Sequence, residues 1–153
     1  MKPAVSPKDD EPYSQRKSWL SLLAKANPAR LAALFPDLPD HTQLRRPEVG
    51  AVMVRGRMGG TGAPFNLGEM TITRCTVQLS GGEVGHAYVQ GRDKAHATRA
   101  ACVDALMQTG AAADLQARVL DVLAAEAASA RQLRAEKAAA TKVDFFTLVR
   151  GED

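Results

Sequence analysis

EMTITRCTVQLSGGEVGHAYVQGRD, residues 69–93, is the stretch on which the fold turns. Met70, Ile72 and Arg74 alternate there with Thr71, Thr73 and Cys75, the period of two that a strand requires. Ser80-Gly81-Gly82 is a tight-turn signal, and a further extended run from Val84 to Gln90 follows it. Asp93 then suits the N-cap of a helix. Working outward toward the N-terminus, Val52 and Val54 alternate with Met53 and Arg55, so another strand begins at Val49. Gly59-Gly60-Thr61-Gly62 joins it to the run from Glu69 to Leu79. Three antiparallel strands are the simplest reading.

Helical patterns flank these strands. Trp19, Leu20, Leu22 and Leu23 form an apolar stripe at helical spacing, with Ser14 or Ser18 available as a cap. Asn27-Pro28 stops that helix and starts a second, with Asn27 as N-cap and Pro28 at the first helical position. Leu31, Leu34 and Phe35 face inward from it, Pro36 ends it, and Pro39 to Arg46 reads as connecting chain. Beyond Asp93, His96, Ala100, Val103 and Met107 share one helix face, and Gly110 stands just past the end. A longer helix is expected over 113–141. Its first half carries Leu115, Val119, Val122 and Leu123; its second half is mostly alanine with Leu133, which favours helix but offers little area to bury. That thin stripe suggests close packing on a neighbour. The expected class is α+β, an antiparallel sheet of at least three strands with N-terminal helices and long C-terminal helices. Pro3, Pro7 and Pro12 among charges mark residues 1–13 as a mobile N-terminal extension, leaving 14–153 as a single domain.

Composition narrows the functional classes. The chain has 153 residues, 45% of them hydrophobic and 24% charged, which is ordinary globular usage. A net charge of +3 permits contact with phosphate groups without indicating a dedicated polyanion binder. The two cysteines, Cys75 and Cys102, make neither a disulfide framework nor a CxxC pair, and His41, His86 and His96 are scattered, so no metal site is expected. Nothing approaches a signal peptide or a membrane span, which makes the cytoplasm the expected location.

Two polar segments are candidate contacts for an anion. Gly59, Gly60 and Gly62 around Thr61 allow a backbone with positive φ and close approach of another group, while Arg57 and Thr61 offer donors to a phosphate or carboxylate. The pattern is neither a Walker A loop nor GxGxxG, and a long hairpin turn that needs glycine for geometry alone explains it equally well. Gln90-Gly91-Arg92-Asp93-Lys94 hands a strand over to a helix, where unpaired amides favour anions and Arg92, Lys94 and His96 add positive charge. Each exposed dipole contact contributes roughly 0.3–1 kcal/mol, against about 8 kcal/mol for micromolar binding. Such a turn completes an anion site but does not make one unaided; a capped helix with solvated charges is the plain alternative. His96 lies on the apolar stripe, where a satisfied structural histidine is the commoner case. At the C-terminus, Val143-Asp144-Phe145-Phe146-Thr147-Leu148-Val149-Arg150 is apolar where chain ends usually fray. Phe145, Phe146 and Arg150 are of the residue types that anchor interfaces, on this chain or on a partner.

Taken together the segments resemble the PhnG family, a small subunit of the bacterial carbon–phosphorus lyase core complex. The matching text is Arg57-Met58-Gly59-Gly60-Thr61-Gly62 with Phe65 and Gly68, then Thr71, Thr73-Arg74, Gly85 and Val89-Gln90-Gly91-Arg92-Asp93-Lys94. His96-Ala97, Asp104-Ala105-Leu106-Met107-Gln108, Val143-Asp144-Phe145-Phe146-Thr147 and Val149-Arg150-Gly151 continue it, and Trp19 fits the N-terminal helix. The likeness runs from about Arg16 to Gly151; residues 1–13 lie outside it, and 109–140 match only in helical character. The resemblance implies a role in phosphonate catabolism under phosphate starvation. It implies a multisubunit complex, with two copies of each core subunit, that displaces adenine from ATP with an alkylphosphonate to give ribose 1-alkylphosphonate 5-triphosphate. ATP would be a substrate of the complex, and this chain would bind no cofactor alone and lack independent activity. In that picture Arg57, the glycine loop, Arg74, Arg92 and Lys94 approach the triphosphate or phosphonate, and Phe145, Phe146 and Arg150 dock on a partner subunit.

Two rival classes are weaker. A small basic nucleic-acid-binding module draws support from a pI near 9.1 and the helix–Asn27-Pro28–helix start. The second helix offers only Arg30 as a contact, however, and aromatic residues do not interleave with the charges. An enzyme acting alone would need a nucleophile and base, and no such pair is evident.

Overall fold

The computed structural model describes residues 11–143. Their class is α+β. The antiparallel sheet runs in the order β1-β2-β3, from β1 (His41–Arg57), β2 (Pro64–Leu79) and β3 (Val84–Gln90). Helices α1 (Glu11–Lys25) and α2 (Pro28–Leu34) precede it and α3 (Lys94–Leu106) follows. A last helical run comprises α4 (Ala112–Leu115), a π turn over Gln116–Leu120 and α5 (Asp121–Ala140). No described helix is long and apolar enough to cross a membrane.

The core is centred on α3. Pairing Thr73 with Val89, Cys75 with Ala87 and Val77 with Gly85 puts a buried row on one face of the sheet, and α3 covers that face. Alanines dominate α3, so neighbours approach on several sides, and most residues from His96 to Ala105 are buried. The closest approach is at Gly85. A Cβ there would collide with the Ala101 carbonyl oxygen and lie 2.6 Å from the Ala105 nitrogen. Leu23 of α1, Leu31 and Phe35 at α2, and Leu115, Val119, Leu120 and Leu123 close the remaining sides. Each fully buried leucine contributes about 1.5–3 kcal/mol through its burial.

Several local signals act as their chemistry requires. Asn27 Oδ1 accepts from Arg30 N at 3.1 Å with Pro28 in the first turn, and Asp93 caps α3 through His96 N at 2.9 Å. β3 has the expected bounds. Elsewhere the structure departs from the pattern. α1 already begins at Glu11, so Ser14 and Ser18 lie inside it and neither starts it. β1 starts at His41 and absorbs all but Pro39 and Asp40 of the stretch read as connecting chain. Register shifts between Gln43 and Glu48 leave Leu44, Arg46 and Pro47 unpaired, which is how a strand tolerates a proline and breaks its own alternation. β2 likewise starts at Pro64. α3 ends before Gly110; the carbonyls of Ala105 and Leu106 are met instead by Gln108 N and Thr109 N. The π turn moves the C-terminal stripe by a residue, burying Leu120 and leaving Val122 half-buried.

Unequal strand lengths create the most conspicuous feature. β3 pairs with β2 only from Ile72 to Gln78, whereas β1 and β2 continue together to Arg57 and Pro64. Beyond the sheet they form a two-stranded arm, and a lone hairpin is marginally stable in water. Yet this one exposes Met53, Phe65, Leu67 (66%) and, at its tip, Met58 (78%).

Candidate functional site

The arm tip is the Gly59–Gly62 loop. Gly59 and Gly60 adopt φ of 60° and 78°, the left-handed region that suits glycine. Gly62 N donates to Met58 O at 3.0 Å, and Arg57 Nη1 donates to Gly62 O at 2.9 Å, so the loop is closed on itself. Arg57 uses one of its donors in this way and keeps its other N–H groups and its charge on an exposed surface. Thr61 is exposed beside it. The closure presents Met58 outward on a fixed turn.

The Gln90–Lys94 turn is tied down by β2. Gly91, at φ 89°, donates from its N–H to Thr71 O at 3.0 Å and accepts from Thr73 Oγ1 at 2.8 Å. Those bonds give Thr71 and Thr73 their structural part. Gln90, Arg92 and Lys94 are exposed at the start of α3, and neither cation has an ion-pair partner among the described residues. Asp93 occupies one helix N-terminal amide as cap and offsets part of their charge.

His96 turns the other way. It is 2% exposed, and its Nε2 lies 2.9 Å from Leu23 O. A carbonyl only accepts, so Nε2 carries the hydrogen and Nδ1 is left buried without a partner. Burial lowers its pKa below the ordinary 6.5, opposed by the Leu23 carbonyl and by Asp93, so the ring is neutral at pH 7. Its role is to join α3 to the end of α1. Arg74 is also engaged: its Nε donates to Glu48 Oε1 at 2.6 Å, and the same carboxylate takes Arg45 at 3.1 Å.

These residues do not converge. The last β2–β3 pair is Ile72 with Gln90, while the tip lies beyond Pro64, so roughly 25 Å of strand separates the glycine loop from the α3 turn. Arg74 sits on the opposite side of Ile72 from the tip. Phe145, Phe146 and Arg150 lie outside the described residues. Two clefts, of about 720 Å³ between α1 and α5 and about 530 Å³ between α1 and β3, are lined by none of the predicted site residues. Among the described residues no cluster of three or more His, Cys, Asp or Glu could hold a metal.

The strongest polar constellation was not foreseen. Asp104 of α3, fully buried, accepts from Arg16 Nη2 at 2.7 Å, Arg16 Nε at 3.2 Å, Trp19 Nε1 at 2.8 Å and His86 N at 2.9 Å. One carboxylate thus fastens α1 and the outer edge of β3 to the central helix. Gln108 adds bonds to Val84 O at 2.8 Å and Asp104 O at 3.0 Å. A readable signal existed: Asp104 is the lone charge between Ala100 and Met107, and Arg16 and Trp19 share a helix face. With all its lone pairs occupied by the fold, this carboxylate is a fastening and not a reactive group.

Comparison with known proteins follows the same residues. The family model described as "Phosphonate metabolism protein PhnG" matches residues 14–151. A relative from Rhizobium meliloti (strain 1021), named "Alpha-D-ribose 1-methylphosphonate 5-triphosphate synthase subunit PhnG", is 46% identical over 156 residues, covering 100% of both chains.

Proposed function

The chain belongs to the PhnG family, and from that premise we propose that it is a non-autonomous subunit of a carbon–phosphorus lyase core complex. The assembly would join an alkylphosphonate oxygen to C1′ of ATP while the bond from C1′ to adenine breaks, giving ribose 1-alkylphosphonate 5-triphosphate and free adenine. The relative's name gives the methyl form of that product, ribose 1-methylphosphonate 5-triphosphate, as what its synthase makes. ATP is then a substrate of the assembly, which works in the cytoplasm with two copies of each core subunit, and this chain supplies no cofactor of its own.

The observation that carries this reading is the arm. Met53, Met58, Phe65 and Leu67 are exposed on an extension with no core beneath it, the kind of patch that marks a partner surface. Its tip is held by the Arg57–Gly62 bond, so presenting it to a partner requires little ordering. A contribution to the reaction falls to Arg92 and Lys94. A triphosphate ester is polyanionic, and these are the uncommitted cations at a helix N-terminus, whereas Arg74 is paired and His96 is buried. Arg57 keeps enough donors to assist a phosphate if the tip lies in a partner's site. Phe145, Phe146 and Arg150, outside the described residues, are the further partner contacts in this reading.

The test is co-expression with the other core subunits and purification through a tag on this chain. Recovery of a stable complex with synthase activity is expected, and failure to retain a larger partner would remove the reading. Within that complex, Arg92→Ala with Lys94→Ala should lower adenine release while leaving assembly intact. Unchanged turnover would sink the substrate-proximal role alone.

A further inference from the structure

β1 is an edge strand, and its two halves are unlike. From His41 to Glu48 it carries Arg45, Arg46 and Pro47 with two register shifts, the devices that keep an edge from pairing. Val49-Gly50-Ala51-Val52-Met53-Val54 has none of them. It holds no charge and no proline, and its register against β2 is unbroken. In a regular antiparallel strand successive residues direct their N–H and C=O groups to alternate sides. Among the described residues the backbone of 49–54 bonds only within the ladder to β2, so the outward groups have no partner. Val49 and Met53 are exposed alongside them.

Charge then selects what covers this edge. Arg45 and Arg46 lie at one end and Arg55 and Arg57 at the other; of the two acids nearby, Glu48 is shared by Arg45 and Arg74 and Glu69 stands opposite Met53 on β2, midway along the edge, so both ends remain basic. Arg46 and Arg55 have no ion-pair partner among the described residues. A second copy of this chain would bring two basic flanks against two basic flanks. An apolar strand bounded by acids would neutralise them and complete the ladder. We propose that Val49–Val54 receives, by strand addition, an apolar β-strand of a different subunit with acidic residues beyond its ends. The inference rests on the subunit reading above and names the mode and chemistry of its interface.

Residue-resolved hydrogen exchange on the purified complex tests it. If the edge is paired, every amide from Val49 to Val54 is slow; if it is free, slow and fast amides alternate, and that alternation overturns the proposal. The variant Ala51→Cys should cross-link to a strand of another subunit, and a cross-link to a second copy of this chain overturns the proposal as well. Arg46→Glu with Arg55→Glu should weaken partner retention at least about fivefold at moderate salt; unchanged retention refutes the acidic partner. A wild-type complex that never forms would instead remove the subunit reading and this inference with it.

Discussion

Helix α3 and the β1–β2 arm are both built from small or apolar residues, alanine in one, valine, glycine and methionine in the other, yet they end in opposite environments. α3 is enclosed on nearly every side, its lone carboxylate accepting four hydrogen bonds. The arm leaves Met53, Met58, Phe65 and Leu67 exposed, and the outward backbone groups of Val49–Val54 have no partner among the described residues. One region is finished by its own chain. The other, on the reading proposed above, is finished by a partner subunit. The difference separates residues that maintain the fold from residues that present a surface, even where both belong to the same family pattern.

The largest effect should come from breaking the enclosed region. Asp104→Ala leaves Arg16 partly buried and unpaired and strips acceptors from Trp19 Nε1 and His86 N. Removing one partner of a buried ion pair costs on the order of 3–5 kcal/mol, or a fall in Tm of roughly 10–15 °C at this chain length. Thermal unfolding followed by circular dichroism measures it. A change within about 2 °C would show that Asp104 is not the fastening described here.

A smaller effect concerns the histidine on the same helix. Because burial holds the His96 pKa below 6.5, the unfolded chain binds a proton more readily than the folded one. The stability it contributes is complete above about pH 6.5 and is lost as pH falls through the lower folded value. Tm should therefore drop between pH 7.5 and pH 5, by less than in Asp104→Ala. His96→Gln, whose amide can still donate to Leu23 O, should flatten that acid limb. An equal acid slope in the variant would assign the pH dependence to other groups.

How much of this was readable in the sequence divides along the same line. β3, the Asn27 and Asp93 caps and the inward face of α3 follow from local chemistry, since periodicity and capping act over a few residues. The Asp104 network joins Arg16, Trp19, His86 and Asp104 across the chain; the lone charge of Asp104 and the shared face of Arg16 and Trp19 mark its two ends, but no local pattern encodes that they meet. The start of β1 is not legible in the sequence because bulges around Pro47 erase the alternation by which strands are recognised. The arm is not legible either, because it follows from a mismatch of strand lengths that only the register reveals. As for the site, the glycine loop and the α3 turn were recognisable as unusual, but their separation along β2 was not.

The smallest effect on stability should accompany a large effect on assembly. Met58→Ser with Leu67→Ser removes apolar side chains that touch little of the fold, so Tm should stay within about 2 °C. If a partner buries both, each loses about 1.5 kcal/mol or more of contact, and partner affinity falls roughly a hundredfold. The comparison turns on obtaining both results from one variant. A substantial loss of Tm would place these side chains in the fold after all. Unchanged affinity would mean that the arm faces solvent even in the complex, leaving its exposed methionines without a function. The paired outcome, stable alone and poor in assembly, is what an arm made for another subunit must give, because folding never buried what binding does.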